Sequence, residues 1–122
     1  QSGVWTPTML DGNISYGAQQ GRYYLIGKMT YIWCEIVINS YVSMPNALAF
    51  SLPFAREDHQ DSYFSGGVFP TTQRGFGFAG RMQGGSVLYP VKLTGGGGYD
   101  YLWPGECTTP ITIQCSGVYQ RA

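Results

Sequence analysis

Apolar and polar residues alternate along much of this chain, most clearly over residues 30–39, TYIWCEIVIN. Ile32, Cys34, Ile36 and Ile38 fall on one side at period two, and Tyr31, Trp33, Glu35, Val37 and Asn39 on the other. Successive side chains of a strand point to opposite faces, so the pattern predicts a central β-strand with one dry face. The second face carries two aromatics, a valine, an acid and an amide, unlike a plain solvent face. It predicts either a second packing layer or contact with another chain.

The same alternation places the other elements. Residues 4–9 read as a first strand containing Pro7, which has no N–H for a ladder and so marks an edge or a bulge. Asp11-Gly12-Asn13 reads as a turn, 14–19 as a second strand, Gln20-Gly21 as another turn and 22–26 as a third strand. Gly27-Lys28 reads as a tight hairpin turn into the long strand. A turn at 43–46 leads to 47–52, where Leu48, Phe50 and Leu52 share a side and Pro53 ends the run. A polar connection, 54–60, precedes strands at 62–69 and 74–82, joined by Pro70-Thr71-Thr72-Gln73. In 74–82, glycines alternate with Phe76 and Phe78, leaving room for a ring or a backbone to approach. Residues 86–93 form a strand holding Pro90, and 111–119 close the chain. About eight or nine short strands, turns roughly every ten residues and no helical periodicity predict an all-β domain, an antiparallel β-sandwich or jelly roll.

Composition narrows the class. With 122 residues the chain makes one domain, 1–122, with a real core. Ten Tyr, six Phe and three Trp accompany 18 Gly, whereas charged residues are only 11%, against a usual share of about 25%. The formal net charge is zero and no basic stripe exists, which argues against nucleic-acid binding. No apolar run reaches the roughly 18 residues of a membrane-spanning helix, so no membrane insertion is expected. A tyrosine-rich, weakly charged surface suits sugars or other protein chains, and low charge does little to keep copies apart. The chain opens on Gln1 and carries no signal-peptide pattern, which points to a fragment or terminal module of a longer protein.

Three cysteines are too odd a count for a disulfide framework. Cys34 reads as a buried small hydrophobe, and Cys107 and Cys115 are spaced so that they could pair across the last loop. His59 is the lone histidine and no CxxC pair occurs, so zinc is not expected. Glu57, Asp58 and Asp61 are hard oxygen ligands, but their spacing matches no EF-hand loop and reads better as a solvated turn. No metal or other cofactor is expected.

Candidate chemistry centres on two places. Four glycines at 95–98 lead into Tyr99, Asp100, Tyr101 and Trp103, an aromatic loop whose rings could stack on sugar faces while Asp100 takes hydroxyls. The bland alternative is a buried loop or a contact with a neighbouring copy. Glycosidase chemistry needs two opposed carboxylates, and Glu35, Glu106 and Asp100 are the plausible members of such a pair. Glu35, in apolar surroundings, is better explained as the partner of an arginine, across a subunit contact for instance. A serine triad would need His59 beside a fitting serine, so the expectation is a protein without enzymatic activity. Trp5, Trp33 and Tyr23 are expected to be core or interface anchors, held by packing.

One resemblance adds to this reading. Gly3-Val4-Trp5-Thr6-Pro7-Thr8, then Tyr16, Gln20-Gly21-Arg22-Tyr23 and Ile26-Gly27-Lys28, resemble the opening of a β-sandwich domain of bacteriophage tail fibres and tailspikes. Ser51-Leu52-Pro53-Phe54 and Ser116-Gly117-Val118-Tyr119 fit its later strands. The likeness is good over the first 30 residues and loose beyond, and its motifs mark strands and turns rather than catalysis. It implies a homotrimeric virion module, assembled in the host cytoplasm, that meets other virion proteins and a host cell-surface polysaccharide. With it, Tyr31, Trp33, Glu35 and Val37 are expected to form a subunit interface. Two other expectations stand beside it: a capsid decoration or virion assembly protein with purely protein–protein contacts, and a small glycan hydrolase or lectin.

Overall fold

A computed structural model describes residues 1–10, 12–44, 48–55, 62–71, 76–80, 86–93 and 99–121. The described elements are β1 (Ser2–Trp5), β2 (Ile14–Ile26), β3 (Met29–Tyr41), β4 (Phe50–Ser51), β5 (Ser62–Thr71), β6 (Phe76–Gly80), β7 (Val87–Leu93), β8 (Tyr99–Tyr101), a 3₁₀ turn (Pro104–Glu106) and β9 (Cys107–Gln120). They form an all-β antiparallel sandwich. One sheet has the order β1-β2-β3-β9-β5, and the other is β4-β7-β6 with β8 also on β7.

The central strand lies where the alternation places it. Ile32, Cys34, Ile36 and Ile38 are buried, opposite Gly117, Cys115, Ile113 and Ile111 of β9. Phe50, Leu88, Leu102, Leu48 and Leu52 close the core from the other sheet. Burying a Leu, Ile or Phe side chain stabilises by about 1.5–3 kcal/mol, so this seam dominates the fold's energetics. The β2–β3 hairpin turns at Gly27-Lys28, with Ile26 opposite Met29 and Gly27 at φ +59°, a region that glycine enters without strain.

Three sequence expectations change. Gln20-Gly21 is no turn: β2 runs unbroken from Ile14 to Ile26. Gly21 stands opposite Trp5, and a Cβ there would lie 2.6 Å from the indole ring. The glycine serves a close tertiary approach that local sequence cannot reveal. The first strand ends at Trp5, before Pro7, and the following residues cross to the second sheet. There the Thr8 carbonyl accepts from Ser51 N (2.9 Å), Leu10 N donates to Ala49 O (3.0 Å), and Trp5 Nε1 donates to Ser51 O (3.1 Å). Finally, Cys107 and Cys115 lie on one strand eight residues apart, about 26 Å at strand rise, so they cannot pair. All three cysteines are free.

Pro90 sits inside β7 without breaking it. β4 pairs with Val87 and Leu88, and β8 with Val91 to Leu93, along the edge opposite β6. Pro90 falls in the gap between these two end-to-end strands, where its carbonyl accepts from Leu102 N (3.2 Å). A residue with no N–H is tolerated where the ladder is interrupted.

Candidate functional site

The unexplained surface is the outer face of the five-stranded sheet. Register sets its rows. Val4, Arg22, Trp33, Ser116 and Ser65 stand side by side across all five strands. On one flank lie Tyr24, Tyr31 and Val118, and on the other Gln20, Glu35 and Gln114. Trp33 is 41% exposed, Tyr31 46% and Tyr24 50%, and Val4, Ile26 and Phe69 are also exposed large hydrophobics. Val37 and Glu35 are half-buried. Trp33 is therefore no packing anchor within the chain, unlike Trp5 and Tyr23, which pack against the core. Among the described residues no second layer covers Tyr31 and Trp33.

Polar groups on this face differ in how they are held. Within the chain, Glu35 Oε2 accepts from Gln114 Nε2 at 2.9 Å. Arg22, one strand from Trp33, is exposed and forms no ion pair among the described residues. Two adjoining depressions share Arg22. One, of about 270 Å³, is lined by Arg22, Tyr24, Tyr31 and Trp33, and the other, of about 340 Å³, by Val4, Trp5, Gln19, Gln20 and Arg22. Small-molecule sites start at roughly this size.

The predicted aromatic loop is only partly in view. Tyr99, Asp100 and Tyr101 form β8 on the second sheet, away from Trp33. The side chains of Tyr99 and Tyr101 lie outside those described, as do residues 94–98 and the acidic stretch 56–61 with Glu57, Asp58, His59 and Asp61. Asp100 is exposed. Trp103 is 43% exposed between buried Leu102 and Pro104. Its backbone is fixed: Trp103 N donates to Glu106 Oε1 (3.0 Å) and Glu106 N donates to Trp103 O (3.0 Å). This is a capping arrangement on a single 3₁₀ turn, and it holds the indole outward. Asp100 and Trp103 thus share one end of the second sheet, and the structure does not bring them to Tyr31, Trp33, Glu35 and Val37.

Arg22, Tyr24 and Gln20 were not singled out from sequence as site residues. Their signal was period-two alternation through 20–26, which a turn at Gln20-Gly21 would have cut. Cys34 and Cys115 face each other in the core, where a hydrogen bond to Cys34 and burial push the Cys115 thiol far above its usual pKa. Both thiols are buried, and the raised Cys115 thiol is a poor nucleophile. Among the described residues no group of His, Cys, Asp and Glu could hold a metal. No family model, curated protein or solved structure matches the chain.

Proposed function

We propose that this chain is a non-catalytic recognition module of a bacteriophage virion, the receptor-binding or C-terminal domain of a tail fibre or tailspike, which binds host surface polysaccharide. The observation that carries the reading is the exposed aromatic face of Tyr24, Tyr31 and Trp33, interleaved with Arg22, Gln20, Glu35 and Gln114. Sugar rings present apolar faces that stack on such rings, and their hydroxyls need the amide, carboxylate and guanidinium groups that lie between. Trp103, with Asp100 nearby in the chain, offers a second contact at the sheet end. Glu35 and Glu106 each accept a structural hydrogen bond, which favours binding over acid–base cleavage. A homotrimer would carry three modest sites and gain avidity from simultaneous contact.

A second reading uses the same face differently. Val4 and Ile26 are aliphatic and exposed at its margin, which suits a neighbouring copy or another virion protein better than a sugar. Tyr31, Trp33, Glu35 and Val37 would then be sealed between subunits, or against a capsid in a decoration protein. A standard interface buries roughly 800 Å² per partner. The two readings part on one experiment: glycan-array binding and solution mass, measured for the intact chain and for Trp33→Ala. Binding lost at unchanged mass supports the glycan platform. Mass that falls with the variant, with no array binding, supports the interface.

A further inference from the structure

Resting on the glycan reading above, we propose that the outer face selects acidic saccharides, with Arg22 gripping a uronate or sialate carboxylate beside the aromatic platform of Tyr24, Tyr31 and Trp33. Arg22 stands between Gln20 and Tyr24 along the outer face of β2, beside Trp33, and lines the depression formed with Tyr24, Tyr31 and Trp33. On one side Tyr24, Tyr31 and Trp33 form an apolar platform for one ring. On the other side of Arg22 the outer face continues to Gln20, whose exposed amide can serve hydroxyls.

The charge pattern argues for an acid. Arg22 stands exposed with no carboxylate paired to it among the described residues. Its planar fork matches a carboxylate bidentately and is weakly hydrated, so exchange of water for a sugar carboxylate is favourable. Glu35, diagonal to Arg22 in the register, is the one described acid on this face near it. Its carboxylate is held by Gln114 on the β9 side, away from β2. The face therefore offers one uncommitted positive charge beside aromatic rings. A neutral glycan would use the rings and leave the guanidinium idle.

The test is a matched pair of probes: tetragalacturonate and an α2,8-linked sialic acid tetramer against maltotetraose and cellotetraose, titrated against the intact chain, Arg22→Gln and Trp33→Ala. The expected result is at least tenfold tighter binding of one acidic probe than of the neutral ones at low salt. That preference should shrink as salt rises and vanish in Arg22→Gln, with melting unchanged. Trp33→Ala should weaken acidic and neutral probes alike. Equal binding of neutral and acidic probes, untouched by Arg22→Gln, overturns the acidic selectivity while leaving glycan recognition standing. No binding by any probe, with Trp33→Ala also silent, overturns both.

Discussion

On one side of β3, Ile36 and Ile38 are wholly buried against Ile113 and Ile111. Three to seven residues earlier, on the other side, Trp33 and Tyr31 show more than two-fifths of their surface to solvent. Backbone, ladder and β-propensity are the same for both sets. The chain finishes one face by itself, with a second sheet, and decorates the other with rings and hydrogen-bonding groups that no second sheet covers among the described residues. Large apolar side chains are often exposed singly, but a register-matched patch of them marks a binding surface. On the proposed reading, stability belongs to the inner face and recognition to the outer, and substitutions should separate the two.

The largest effect is expected inside. Ile36→Ala removes a fully buried side chain at the β3–β9 seam and should lower unfolding free energy by about 2–5 kcal/mol in a denaturant titration. Next comes Tyr119→Phe. Tyr119 Oη donates to Phe54 O (2.9 Å) and accepts from Phe54 N (3.2 Å), so losing the hydroxyl should destabilise by about 1–3 kcal/mol. Gly21→Val drives a branched side chain into the Trp5 indole and should cost about 1–3 kcal/mol, read as a lower thermal midpoint. Trp33→Ala is the contrasting case: unfolding should change by less than about 1 kcal/mol while glycan affinity falls at least tenfold. A loss of several kcal/mol there would mean that the indole is part of the core and that the two-face division is wrong.

Thiol chemistry divides in the same way. Cys107 is half-buried at the start of β9, whereas Cys34 and Cys115 are sealed between the sheets. A maleimide should label Cys107 in the folded protein and reach the other two only on unfolding. Mass spectrometry of the labelled chain reads this directly.

Much of the sandwich was legible because alternation reports burial. The dry face of 30–39, the hairpin at Gly27-Lys28 and the closing strand all carry that signal. The breaks were less legible. Gln20-Gly21 looks like a turn locally, and Gly21 is placed by Trp5, sixteen residues away in the chain. Pro7 and Pro90 sit where a strand has ended or its ladder has a gap, and those gaps depend on other strands. The site was half legible for the same reason. Tyr31, Trp33, Glu35 and Val37 stood out on one strand, but the companions of that face on β2 and β9 are set by cross-strand register. Arg22, Gln114 and Tyr24 join Trp33, Glu35 and Tyr31 only once the strands are paired.

Hydroxyl-radical footprinting of the intact chain, at two protein concentrations and with or without an acidic oligosaccharide, tests the role of the outer face most directly. Saccharide should protect Trp33, Tyr31 and Tyr24 equally at both concentrations, while Trp5 stays unchanged. Protection of Trp33 that follows protein concentration and ignores saccharide, or protection confined to Trp103, would contradict it.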